Sequence, residues 1–144
     1  MKTAIVFGAT GLIGNKLIEQ LIESEDYAII RVFNRRPQSY LSEKIEQIID
    51  PLESIDNIHS KVQGDDLFIC LGSTIKKAGS KANFETIDLA LPVSIAKVAK
   101  ENDIKCVLVV SSLGANVEST NFYLKTKGRM EQSILEIGVK HTYF

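Results

Sequence analysis

The sequence predicts an α/β fold, a parallel sheet wound on both faces by helices with strand order 3-2-1-4-5-6. Two observations carry this. Apolar, strand-like runs alternate with segments of helical spacing along the whole chain. The first run, residues 4–7, enters Gly8-Ala9-Thr10-Gly11-Leu12-Ile13-Gly14, and a helix follows over 15–22 with Ile13, Leu17 and Leu21 four apart on one face.

Strand, glycine turn and helix is how a Rossmann unit opens, and it points to dinucleotide binding. Gly8 permits the sharp exit from the strand, Gly11 lets backbone approach a pyrophosphate, and Gly14 lets the helix pack closely on the strand. The helix's free N–H groups and the positive end of its dipole then face the phosphates. The spacing is G-x-x-G-x-x-G, looser than the generic fingerprint.

A second strand is expected over 27–33, followed by Asn34-Arg35-Arg36-Pro37. Asn34 lies twenty residues after Gly14, where such folds read the adenosine ribose. An NAD site places a carboxylate there. This chain offers an amide and two guanidinium groups, which match a 2′-phosphate, so NADP(H) is favoured over NAD(H). A third, short strand stops at Asp50-Pro51, where Asp50 can accept from an adenine amino group or cap a short helical stretch over 52–58. His59 is read as a surface residue without a partner.

The fourth run, 67–71, reads as a central strand covered on both faces. Its exit, Leu71-Gly72-Ser73-Thr74, is expected to line the cofactor cleft, because ligands lie outside the carboxyl ends of strands. A basic loop is expected over 75–81, then a long helix over 84–102 that either starts late or bends at Pro92. The fifth strand, 105–110, ends on Ser111-Ser112; a helix over 121–137 and a sixth strand from 139 follow. That helix carries Tyr123 and Lys127 one turn apart. A lysine so placed can lower a tyrosine pKa and hold ribose hydroxyls, with Ser112 polarising the same substrate oxygen as Tyr123.

The glycine loop, Ser111-Ser112 and Tyr123-x-x-x-Lys127 together resemble the short-chain dehydrogenase/reductase superfamily. Cys70-Leu71-Gly72-Ser73-Thr74, Lys77-Ala78-Gly79-Ser80 and the run 121–128 are similar to its atypical, NmrA-like members, in the group of the Tat-interacting 30-kDa protein and its bacterial relatives. The resemblance implies an NADP(H)-binding Rossmann fold in which Ser112, Tyr123 and Lys127 carry catalysis. It implies that Gly8, Thr10, Gly11, Leu12, Ile13, Gly14, Arg35 and Arg36 carry the cofactor, with Ser111 as the alternative to Ser112. Asp88 stands where many members place asparagine. The family's chain also continues past the sixth strand into a small substrate lobe, so residues 1–144 are expected to be an incomplete domain.

The function expected is an NADP(H)-dependent oxidoreductase of small carbonyl or alcohol compounds. The alternatives are a non-catalytic NADP(H) sensor acting through partners and a nucleotide-sugar epimerase. A net charge of −1 gives no reason to expect nucleic acid as a partner, and no apolar run is long enough for a membrane span. A small-molecule substrate, a homodimer and no metal complete the expectation. With no signal-peptide pattern, and Cys70 and Cys106 inside strand-like runs that suit reduced thiols, a cytoplasmic protein is expected.

Overall fold

The computed structural model describes all residues, 1–144. Six parallel strands form one sheet in the order β3-β2-β1-β4-β5-β6. They are β1 (Lys2–Phe7), β2 (Tyr27–Asn34), β3 (Ile45–Ile49), β4 (Asp66–Ile69), β5 (Cys106–Val109) and β6 (His141–Tyr143). This is the doubly wound order that the alternating pattern predicts, and β1 and β4 flank the point where the winding reverses.

Period-two alternation explains the central strand. Ile5 and Phe7 enter the larger core with Phe33, Leu67, Ile69, Val107 and Val109, under the helices α4 (Leu91–Glu101) and α5 (Phe122–Ile137). Ala4 and Val6 enter the smaller core with Ile30 and Val32, under Ile18 and Leu21 of α1 (Leu12–Glu23). Phe7 and Phe33 stack with centroids 4.5 Å apart. The second face is only partly covered. Beside α1, the β4–β5–β6 half leaves Phe68 and Leu108 in an apolar groove of about 510 Å³ with Leu12, Ile13, Leu17, Val110, Tyr143 and Phe144. The expected burial of β4 on both faces is corrected accordingly: Phe68 and Cys70 are only half-buried. No helix is long and apolar enough to cross a membrane.

Two local expectations change and a third is settled. The basic loop is ordered into two short helices, α2 (Ile75–Ala78) and α3 (Lys81–Glu85). Thr74 caps the first by accepting from Lys77 N, Gly79 turns the chain at φ 86°, and Ser80 caps the second by accepting from Asn83 N. Of the two alternatives for the long helix, the late start holds: α3 runs into a π turn, Thr86–Ala90, and the regular helix α4 begins at Leu91, two residues past Leu89, with Pro92 in its first turn. There the missing N–H costs no helical hydrogen bond. His59, read as partnerless, lies in a 3₁₀ segment (Ile55–Lys61) with Nε2 2.8 Å from Glu101 Oε2.

Candidate functional site: a cleft at the carboxyl edge of the sheet

The glycine turn shapes the cleft wall. Gly8 has φ 83°, and a Cβ there would stand 2.5 Å from the Cys70 carbonyl carbon. A Cβ at Gly14 would run into the Gly8 carbonyl oxygen. Both glycines are therefore demanded by the fold. Gly11 differs: a Cβ there would meet only Gly8 O, at 3.5 Å. The space beyond it is open, and Gly11 has no side chain to cap α1. The first helical hydrogen bond is from Asn15 N to Gly11 O, at 2.8 Å, so the N–H groups of Leu12, Ile13 and Gly14 remain free at the helix start. Uncapped donors beside a glycine that needs no Cβ space are what an anionic pyrophosphate requires.

The cleft has a volume of about 490 Å³, within the range of ligand pockets. It brings together Gly8, Thr10, Gly11, Asn34, Arg35, Leu71, Gly72 and Ser73 of the expected cofactor residues. Leu12 and Ile13 turn their side chains into the separate apolar groove, which leaves only their backbone for a ligand. Gly14, Arg36, Asp50, Thr74 and Lys127 do not line the cleft. Asp50 Oδ1 accepts from Leu52 N at 2.7 Å and closes a turn that holds Leu52 at φ 59°. Thr74 is spent on its cap.

Asn34 is buried, with its amide donating to Tyr40 Oη and Gln47 Oε1, both at 3.0 Å. Gln47 in turn accepts from Gln38 N and donates to Gln38 O. This network pins the segment after β2 against β3, and Arg35 emerges from it at the cleft. Neither Arg35 nor Arg36 enters any of the seven ion pairs.

Cys70 lies between the cleft and the groove, and burial pushes its thiol up to about 11. At pH 8 its thiolate fraction is then roughly a hundredfold below that of a free cysteine. Alkylation by iodoacetamide, followed by mass spectrometry, is expected to be slower by about that factor in the native protein than after unfolding.

The second group, Ser111, Ser112, Tyr123 and Lys127, lies at the exit of β5 and on α5, and none of its members lines the cleft. Asn121 caps α5 by accepting from Leu124 N at 3.1 Å. Gly128 lets α5 press on the loop after β5, where a Cβ would stand 2.5 Å from Val117 N. Tyr123 is half-buried, its ring 5.5 Å from that of Phe84, and its hydroxyl has no partner in the chain. Ser111 Oγ is held by Glu131 Oε1 at 2.5 Å. Ser112 Oγ has only a weak 3.4 Å approach to Leu113 O and is free to bind elsewhere.

Lys127 is placed differently from expectation. It is buried at 3% exposure, and its ammonium meets Asp88 Oδ1 at 2.7 Å, with Asp88 itself fully buried. The ammonium is 5.9 Å from the Tyr123 ring centroid. Asp88 Oδ2 accepts from Ser73 N at 3.0 Å. Burial raises the Asp88 pKa, opposed by Lys127 and the Ser73 N–H. Breaking one side of a buried pair costs about 3–5 kcal/mol. Sequence reasoning noticed Asp88 only as a departure. The usable signal was a carboxylate set among the apolar positions of Ile87-Asp88-Leu89, where an unpaired charge cannot be tolerated.

Comparison with known proteins agrees with this geometry. A family model described as NAD(P)H-binding matches residues 8–143. A protein of Candida albicans named "Protein FMP52, mitochondrial" is 35% identical over 147 residues, covering 97% of this chain and 63% of that protein. The chain thus spans less than two thirds of the length of this relative. The UDP-Glc/GlcNAc 4-epimerase of Campylobacter jejuni superposes with a TM-score of 0.84 at 10% identity, over 99% of this chain and 52% of that one. Uronate dehydrogenase of Agrobacterium tumefaciens gives 0.76 at 18%, over 99% and 59%. At such identities the likeness is one of fold. The expectation of a cytoplasmic protein is overturned by the relatives from Candida albicans, Debaryomyces hansenii and Candida glabrata, all named mitochondrial. With its glycine turn, open helix start and doubly wound sheet, and with residues 8–143 matched by that model, the chain belongs to the NAD(P)H-binding family as a Rossmann domain.

Proposed function

We propose that the chain is the cofactor domain of an NADP(H)-dependent oxidoreductase acting on a small carbonyl or alcohol. The observation that carries the cofactor choice is Arg35, which lines the cleft with no ion-pair partner beside a buried asparagine where an NAD site needs a carboxylate. The pyrophosphate would lie on the free N–H groups of Leu12, Ile13 and Gly14, past Gly11. The adenosine end would face Asn34 and Arg35, and the nicotinamide end Gly72 and Ser73.

When bound, the dihydronicotinamide supplies a hydride. The chain's part is the proton and the charge. Tyr123 donates its phenolic proton to the substrate oxygen as that oxygen gains negative charge, and in the reverse direction it takes the proton back. Ser112, whose hydroxyl is free, donates a hydrogen bond to the same oxygen, whereas Ser111 is committed to Glu131. The lack of any protein partner for the Tyr123 hydroxyl supports its being kept for a ligand.

Arg35→Ala removes a charge-assisted hydrogen bond worth about 1.5–3 kcal/mol. NADPH affinity is expected to fall about ten- to a hundredfold with NADH affinity unchanged. Fluorescence titration with both cofactors tests this, and an equal loss for the two would mean that the 2′-phosphate is not read at Arg35.

A further inference from the structure

Asp88 has no role in the reading so far, yet it is the most deeply buried charge in the protein. A carboxylate at 0% exposure is tolerated only when its charge is answered. Here two separate elements answer it: Oδ2 accepts from the Ser73 N–H at 3.0 Å, in the loop after β4, and Oδ1, which has no hydrogen bond of its own, stands 2.7 Å from the Lys127 ammonium on α5 as an ion pair. The residue is carried on the π turn Thr86–Ala90, a rare geometry that recurs at functional sites. Thr86, Ile87 and Ala90 of the same turn line the cleft. Gly72 covers the pair from the cleft side with no side chain; a Cβ there would sit 3.6 Å from Asp88 Oδ1 and 3.9 Å from Lys127 Nζ. The ammonium pairs with Asp88 by charge, and no protein acceptor takes a hydrogen bond from its three donors.

We propose that Asp88 is the positioning residue of the cleft floor. It ties the Gly72–Ser73 loop to α5 and holds the Lys127 ammonium, neutralised, beneath Gly72, so that the floor offers hydrogen-bond donors to cofactor hydroxyls rather than net positive charge to a phosphate. This rests on the proposed cofactor site. Charge for the phosphates then comes from the open helix start and Arg35, and the two ends of the cleft recognise different chemistry.

The test uses wild type, Asp88→Asn, Lys127→Met and the double variant, with NADPH affinity, melting temperature and cofactor-free hydrogen exchange at the Ser73 amide measured on each. Each single variant is expected to weaken NADPH about tenfold, and the double variant to be no weaker than the poorer single, because Asp88 acts through Lys127. The double variant buries no unpaired charge, so its melting temperature should recover while its affinity does not. Losses that multiply, or affinity that returns together with melting temperature, would overturn the proposal. If Asp88→Asn alone does not fold, the double variant must match Lys127→Met in NADPH affinity, and a further loss beyond it overturns the idea. A wild type that binds neither NADPH nor NADH would sink the functional reading instead. The tie itself is then decided at Ser73 with Asp88→Leu in the Lys127→Met background, because an asparagine oxygen can still accept from the Ser73 N–H: exchange at least tenfold faster there than in Lys127→Met upholds it, and equal rates refute it.

Discussion

Tyr123→Phe is expected to leave folding and NADPH affinity intact while lowering turnover by about 10²–10⁴, the worth of a positioned general acid. The structure makes this a clean substitution. The ring packs on Phe84 with centroids 5.5 Å apart, and that packing needs only the ring. The hydroxyl has no partner in the chain, so deleting it leaves no buried group unsatisfied. A loss of activity would therefore report the lost proton donor and not a collapsed site. NADPH oxidation, followed across a panel of aldehydes and ketones for both proteins, is the measurement. Oxidation undiminished in the variant would remove Tyr123 from the mechanism. No oxidation by the wild type with any carbonyl, alongside normal NADPH binding in both, is what the sensor reading predicts.

Gly11→Val and Gly14→Val should fail in opposite ways. At Gly11 the backbone is extended, at φ −75° and ψ 172°, which suits a β-branched residue. The nearest obstacle to a Cβ is Gly8 O at 3.5 Å, an ordinary contact. The valine methyls would then stand over the free N–H groups that the pyrophosphate must reach. Loss of at least about a hundredfold is expected for NADPH and NADH alike, with the melting temperature within a few degrees of wild type. At Gly14 the new Cβ would overlap the Gly8 carbonyl, which is fixed backbone that cannot yield. That variant should melt far below wild type or fail to fold. Thermal melts paired with cofactor titrations separate the two outcomes. A Gly11→Val protein that binds NADPH normally would mean that the phosphates do not pass this turn.

The wound sheet was legible because its signal is repeated. Six apolar runs and the glycine turn all point to one topology, and right-handed crossovers leave little choice of strand order. Positions dictated by backbone geometry were legible for the same reason: Gly8 and Gly14 do what the motif implies. What escaped was pairing across the chain. Lys127 was read against Tyr123, its neighbour on the helix, whereas its ammonium goes to Asp88, thirty-nine positions earlier. Likewise the free serine at the end of β5 is distinguished from its neighbour only by Glu131, on another element. For Asp50 the sequence left two uses open, an adenine amino group or a cap on the stretch that follows; its carboxylate serves the following stretch, accepting from Leu52 N in the turn that holds Leu52 at φ 59°. Local patterns announce local structure. A side chain's partner becomes known only when the sheet has brought distant segments together.

The proposed cofactor choice is measured most directly by a side-by-side titration of the wild-type chain with NADPH and NADH. Saturable binding of both is expected, NADPH tighter by about ten- to a hundredfold through one charge-assisted contact at Arg35, with that preference erased by Arg35→Ala. Equal affinity for the two cofactors in the wild type, or tighter binding of NADH, would contradict it.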